Sequence, residues 1–517
     1  MVIAAAAIAA LSGCIKNDIP YPRDQLNFLE FEAEGQSSSA EIDTKNCIVT
    51  VNLPEQSNLR RVAVASYKLS EGAEVVSPDL SSPLDLRENV KVLLHRYYDT
   101  EWIIRANQPI ARCFVLPNQV GTSVIDVPGK RVVAYVPKTA DLRALEVDTI
   151  KLGPADVTTV SRNLNHQIVD FSLPLRLTVS YHDEVEIWTI YVQTTDVNVS
   201  TSRVDAWSRV IWAYGEGKAG ADNGIRYREQ GQEEWITVDA ASITHSGGSF
   251  TARINSVKPE TAYEVQAYSG EELGEIVTVT TQGLFTIPNM DFDDWSLNGK
   301  IYQPWAEGAE AFWDTGNRGA TTLGDSNTIP GNITWDGASG RSAMLQTKFV
   351  GIGVVGKLAT GNIYTGEFVR IDGSNGVLNF GRPFTGRPTR LNGYMKYTTA
   401  PISSTNSDLA YMKGQPDTAH IYIALTDWEA PFEIRTNPKN QHLFDIKDEH
   451  IIAYGNMQWG SNVDEFTQFT IPLEYRATNR VPRYILIVAA ASKYGDFFTG
   501  ADGACLWVDH FWFDWDY

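Results

Sequence analysis

Beyond residue 284 the carboxylates available for acid–base chemistry include Glu307, Glu310, Asp314, Glu367, Asp427, Glu429 and Asp464. Glycoside hydrolysis needs two such groups about 5–10 Å apart across a cleft, one to donate a proton and one to act as base or nucleophile. Spacing selects no pair, because strands that meet in a sheet are distant in sequence. Glu367 and Asp427 are the first choices because each lies beside an aromatic, Tyr364 and Trp428. The same region holds what a sugar-binding surface uses: flat rings for pyranose C–H faces and polar groups for hydroxyls. Trp305, Trp313, Trp335, Tyr364, Trp428 and Trp459 lie in glycine-rich or polar segments. That places them on loops, where recognition residues concentrate. Trp313 reads equally as core and as platform, whereas Trp428 and Trp459 are expected to be exposed. Other chemistries find no support. His420, His442, His450 and His510 are scattered, with no Ser-His-Asp order and no H-E-x-x-H run. Gly353 and Gly356 precede Lys357, but no Gly-Lys-Ser/Thr follows to make a phosphate loop.

The elements that must position these residues are announced by a string of ordered motifs. They are Asn289-Met-Asp-Phe-Asp-Asp-Trp295, Trp313-Asp-Thr-Gly-Asn317, Gly356-Lys-Leu-Ala-Thr-Gly-Asn362-Ile-Tyr-Thr-Gly366, Gly381-Arg-Pro-Phe-Thr-Gly-Arg-Pro-Thr389, Gly393-Tyr-Met-Lys-Tyr397, Ala491-Ser-Lys-Tyr-Gly-Asp496 and Leu506-Trp-Val-Asp-His510. In that order they resemble the putative carbohydrate metabolism domain found in lipoproteins of gut Bacteroidetes. The resemblance implies a jelly-roll β-sandwich over residues 284–517 and a link to glycan use, with no fixed reaction. It singles out Asn317, Asn362, Lys493 and Asp496 as polar residues of the motifs. Carbohydrate-binding jelly rolls resemble this chain further in pairing an acid near the start with one on the last strand around a structural calcium. Here those positions are Asp293 and Asp509, with His510 where a second acid is usual. Calcium takes six to eight oxygens, and two are visible. Apart from that structural calcium, no cofactor is expected.

Upstream, three β-sandwiches are expected. Val257-Lys-Pro-Glu-Thr-Ala-Tyr263-Glu-Val265 resembles the segment entering strand F of a fibronectin type III domain, where a Tyr hydroxyl bonds back to the chain. That assigns residues 199–283, with Trp207, Ile211 and Trp212 on an early strand and Trp235 as core filling. Before it, Ile42-Asp43, Leu59-Arg60 and Lys68-Leu69 recur as Ile125-Asp126, Leu142-Arg143 and Lys151-Leu152, all at an offset of 83. Short apolar runs broken by Pro, Asn and Ser make each unit immunoglobulin-like, residues 20–107 and 108–198. The fold class is therefore all-β, and the three upstream sandwiches serve as spacers.

A formal charge of −20 opposes binding to nucleic acid through phosphate neutralisation. Cys47, Cys113 and Cys505 lack the spacing of a disulfide framework or a zinc set. Cys14 is different. It ends an alanine-rich apolar run as Leu11-Ser-Gly-Cys14, a lipobox, so residues 1–19 read as signal peptide, acylation site and tether. The chain thus reads as a lipoprotein of the outer membrane, at the cell surface or the periplasmic face, that binds poly- or oligosaccharide without turning it over. Other glycan-uptake proteins are expected beside it. A glycoside hydrolase is the alternative, and a structural or adhesive stalk the third reading. Palmitate should label the wild-type chain and not Cys14→Ala; equal labelling of both would remove the anchor.

Overall fold

The computed structural model describes residues 26–44, 46–352, 355–373, 375–437 and 439–517; Cys14 and the signal segment lie outside them. The fold is all-β, as the alternation in the sequence predicts, and forms two compact units. Of the described residues, one takes in 26–117 and 123–194, the other 118–122 and 195–517.

The first unit holds two modules with one strand order. In the first module Glu41–Asp43, Ile48–Asn52, Asp99–Asn107, Val90–His95 and Glu74–Ser77 lie side by side. In the second the order is Val120–Asp126, Arg131–Pro137, Glu184–Thr195, Leu175–Tyr181 and Thr158–Val160. The residues at the offset of 83 do equivalent local work. Asp43 accepts the Asn46 amide at 3.0 Å, and Asp126 accepts that of Gly129 at 2.9 Å. Leu59 and Leu142 carbonyls accept Leu86 and Phe171 amides, each at 2.7 Å. A fully buried tryptophan centres each core, Trp102 and Trp188. The polar junction between these modules is laced by Lys151–Glu55 at 2.7 Å and by Arg60 and Arg87 on Glu184 at 2.8 and 2.9 Å.

The second unit opens with a two-sheet sandwich of four strands each. Its tyrosine corner is formed: the Tyr263 hydroxyl accepts the Lys258 amide at 2.9 Å. Trp235 corrects the sequence reading. It is not core filling but lies between the Arg226 and Arg228 guanidiniums, each 4.5 Å from the ring.

The C-terminal sandwich is built on β1 (Trp313–Thr315), β2 (Ser342–Gln346), β3 (Asn362–Asp372), β4 (Arg390–Thr398), β5 (Ala419–Thr426), β6 (Ile451–Trp459), β7 (Val463–Pro472), β8 (Tyr484–Ala490) and β9 (Cys505–Asp514). The larger sheet orders β3, β8, β5 and β6 at its centre, with β1 paired to β3. The smaller runs Thr328–Gly331, β2, β9, β4, β7. Between them lies the core: Ile363, Ile421, Ile423, Ile485 and Ile487 from one sheet meet Leu345, Leu391, Met395, Leu506 and Val508 from the other. A second apolar layer covers part of the larger sheet's outer face, with Tyr364, Phe368, Phe380, Trp428 and Leu486.

The third module is fixed to this sandwich rather than strung before it. Trp207 is not on an early strand but in the turn between Ser200–Ala206 and Ile211–Glu216, where it is fully buried, with its ring 4.3 Å from that of Tyr475 and its Nε1 donating to the Thr478 carbonyl at 3.0 Å. Tyr214 meets the Thr478 hydroxyl at 2.6 Å, and the Ser256 hydroxyl donates to Asp516 at 2.7 Å. At the junction itself buried Arg387 donates to Gln282 at 2.9 Å. Removing a buried Trp costs about 3–5 kcal/mol. Trp207→Ala should therefore lower stability by about 3–5 kcal/mol. A fragment starting at residue 284 should melt below one starting at residue 195. Calorimetry giving the two fragments equal melting temperatures would show that the modules are independent.

Candidate functional site

Strand alternation sends every second side chain of β5, β6 and β8 away from the inter-sheet core. On β5 these are His420, Tyr422 and Ala424; on β6 Tyr454, Asn456 and Gln458; on β8 Leu486, Val488 and Ala490. Antiparallel pairing sets them in rows. His420 is opposite Gln458 on one side and Ala490 on the other, and Ala490 is opposite Asn362. The next row runs Asn456, Tyr422, Val488, Tyr364, Asp314. In the first row Ala490 on the middle strand stands between longer side chains on its neighbours, His420 and Asn362, which makes a shallow trough with an alanine floor. Tyr422 forms its wall, stacked on Phe444 at 5.5 Å and 12°. The loop after Ser492 supplies the rim: Lys493 Nζ donates to Gln458 at 3.0 Å and lies 5.0 Å from the Tyr494 ring centre. Asn456, Gln458 and Asp496 are exposed.

Electrostatics give these groups distinct protonation. Burial, with Lys493 nearby, lowers the His420 imidazole to about 4, so it is neutral across physiological pH. Its Nε2 is buried without a hydrogen-bond partner. Asp496 keeps contact with solvent, yet the protein crowding it pushes its carboxyl up to about 6. Burial, and next the Asp496 carboxylate, holds the Tyr422 phenol protonated.

The residues singled out by sequence divide sharply. Tyr364, Asn362, Lys493 and Asp496 come to this face. Asn362 uses its side-chain oxygen to accept the Gly316 amide at 2.8 Å, and Tyr364 is buried beneath Phe380. Trp313, Tyr364 and Trp428 are not loop platforms. Trp313 is core, fully buried on β1 with its Nε1 donating to the Pro288 carbonyl at 2.8 Å. Trp428 is 5 % exposed, packed on Phe432, and donates to Asp448 at 2.9 Å. Polar surroundings in sequence misled here because each indole N–H finds its acceptor far along the chain, at Pro288 and Asp448, so the ring is buried whatever its sequence neighbours are. Trp459 is half-buried on β6 against Phe469. Asn317 is buried and structural. It donates to the Tyr302 and Thr328 carbonyls at 2.8 and 2.6 Å and accepts two amides. Trp305 is half-buried away from these rows, and Trp335 lies against the other sheet.

Neither preferred catalytic carboxylate fits that role at this face. Burial would raise the Asp427 carboxyl, but Arg480 at 2.6 Å and His450 at 3.0 Å outweigh it and hold it low. Glu367 is exposed on β3. Asp314 is buried and raised by that burial, and both its oxygens accept amides, from Phe368 and Thr315. Asp293 and Asp509 do come together, and burial pushes Asp509 up to about 6 with Asp293 adding to it. Each accepts an amide, Arg341 and Trp335 respectively. Among the described residues no group of three or more carboxylate, His or Cys side chains could hold a metal. The signal for the trough was available in the sequence. His420-Ile-Tyr-Ile-Ala-Leu425 alternates, which already puts His420 and Tyr422 on one face.

The geometry defines a two-sheet β-sandwich of jelly-roll type with a polar and aromatic outer face. Residues 291–513 match the family model described as "Putative carbohydrate metabolism domain", which supports a carbohydrate-related role for this part of the chain. No curated protein matches the chain. Among solved structures it is similar to a "putative glycoside hydrolase" from Bacteroides thetaiotaomicron, at 16% identity over 78% of this chain and 96% of that one, TM-score 0.31. A second "putative glycoside hydrolase", from Bacteroides vulgatus, is 21% identical over 44% of this chain and 96% of that one, TM-score 0.33. The SGBP-B protein of the Bacteroides ovatus mixed-linkage glucan utilization locus, solved with a heptasaccharide, is 10% identical over 89% of this chain and 99% of that one, TM-score 0.18.

Two outcomes follow from burial. Trp428→Ala should cost about 3–5 kcal/mol of stability, as for a core Trp, measured by denaturant unfolding. A neutral His420 in the folded state means the unfolded chain gains its proton first as pH falls from about 6.5 to about 4. His420 therefore costs stability progressively across that window as pH falls. Asp496 and Asp509, raised to about 6, act in the opposite sense, so only a difference isolates the histidine. The stability of wild type minus that of His420→Gln should decline from pH 6.5 to pH 4; a flat difference would contradict the neutral, desolvated ring.

Proposed function

We propose that the chain is a glycan-capturing lipoprotein, held through Cys14 on the outer membrane, that lays a saccharide along the trough of the larger sheet. One observation carries this reading: His420, Ala490 and Gln458 share a row beside Tyr422 and Asn456, so amides, a neutral imidazole and a ring wall surround an alanine floor. A sugar needs this combination, since its hydroxyls ask for neutral donors and acceptors while its C–H faces ask for flat apolar contact. The exposed Asn456 and Gln458 amides would contribute about 0.5–1.5 kcal/mol each. Asn456→Ala/Gln458→Ala should therefore weaken binding by about 1–3 kcal/mol with an unchanged melting temperature. Glycan-array signal equal to wild type would reject the trough.

A hydrolytic reading has one observation in its favour. Asp496, beside the trough and raised to about 6, is protonated in mild acid, as a general acid must be. Hydrolysis would show as reducing-sugar release that peaks below pH 6 and is lost in Asp496→Asn while binding persists.

A further inference from the structure

On the outer face of the smaller sheet the pairing of β4 with β9 slips by one residue. Tyr394 of β4 is opposite Asp509 of β9, while Asn392, two residues earlier, is opposite Trp512, so β9 carries an extra residue between them. His510 occupies the bulge with φ of 47°, a left-handed conformation that costs a non-glycine residue energy and tends to persist where function requires it. The bulge reverses the phase of the strand. Val508 and Phe511 both point to the core, and Trp507 and Trp512 both point outward.

The loop between Gly331 and Ser342 lays its tryptophan onto this re-aimed face. Trp335 stacks on Tyr394 at 4.3 Å and 18°, and on His510 at 5.1 Å and 25°. Its amide donates to buried Asp509 at 2.9 Å, and Asp291 holds the His510 ring at 2.6 Å. One face of the indole is packed and the residue remains 37% exposed. Tyr394 continues to Trp512 at 5.9 Å. The rim carries Asn332, Asp336, Arg341 and Gln468, all exposed. Exposed Asp291, Asp293 and Asp336 outnumber Arg341 there, and apart from Ile333 the apolar surface is aromatic. A protein partner would demand a broader aliphatic patch, and a polyanion a basic one.

We propose that this platform is a second saccharide-binding surface, on which Trp335 and Trp512 stack successive pyranose rings of a neutral glycan. The Asp509–Trp335 and Asp291–His510 contacts order the platform before the sugar arrives, so little ordering entropy is lost on binding. The proposal rests on the reading that this domain handles carbohydrate, and it is independent of the trough.

The test uses the full chain with cellohexaose, xylohexaose, mannohexaose and maltohexaose in separate calorimetric titrations. Trp335→Ala should weaken binding of whichever hexasaccharide the wild type binds by at least tenfold, or remove one of two binding events. Trp335→Phe should restore most of it. Trp512→Ala serves as a second variant should the loop rearrange. Trp335→Ala and Trp512→Ala that both bind like wild type overturn the proposal, and if Asn456→Ala/Gln458→Ala then loses binding, the trough stands alone. Loss in Trp335→Ala with full binding in Asn456→Ala/Gln458→Ala supports the platform and rejects the trough. A wild type that binds none of the four overturns both.

Discussion

The C-terminal sandwich depends on β8, which is covered on both faces. Ile485, Ile487 and Ala489 face the inter-sheet core, while Leu486 and Val488 face the second apolar layer. A strand in this position has no freedom of register. A shift by one residue would exchange its two faces and leave neither layer filled. Its pairings with β3 and β5 therefore fix which residues stand in a row. The trough lies where β8 ends in Ala490, between His420 and Asn362 on its neighbours. Ala490 is both the end of a core strand and the floor of the candidate site.

Much of the fold was legible because strand alternation and turn residues are local signals. The tyrosine corner could be read from Val257 to Val265 because its hydrogen bond spans five residues. Some motif glycines have an equally plain cause. A Cβ at Gly361 would run into the backbone of Gln346, and one at Gly366 into the carbonyl of Asn379, so both strands close up only around glycine. What stayed hidden was the partner of each long side chain. Trp313 and Trp428 sit in polar sequence, yet their N–H groups meet Pro288 and Asp448, 25 and 20 residues away. Asn317 looked like a ligand and is a hub binding four backbone groups. The trough was half visible: the alternation in β5 shows one strand of it, while the pairing of His420 with Gln458 is a matter of register.

The two outer faces of the sandwich arise by different means. On the larger sheet regular alternation is enough. On the smaller sheet the bulge at His510 changes the phase of β9, and a loop tryptophan covers the place where the change occurs. The departure from a paired acid at that position, which weakened the case for calcium, is the residue that turns the strand.

The Trp207–Tyr475 contact and the Arg387–Gln282 bond alter what counts as a module here. By sequence the third sandwich is a separable bead, interchangeable with others of its type. In three dimensions it supplies one wall of an aromatic seam whose other wall, Tyr475 and Tyr517, belongs to the last sandwich. Recombination that exchanged this bead for another fibronectin-like unit would inherit the spacing and lose the seam. The heritable unit is the pair, residues 195 to 517, and shuffling within it is penalised at a tryptophan that no binding assay would single out.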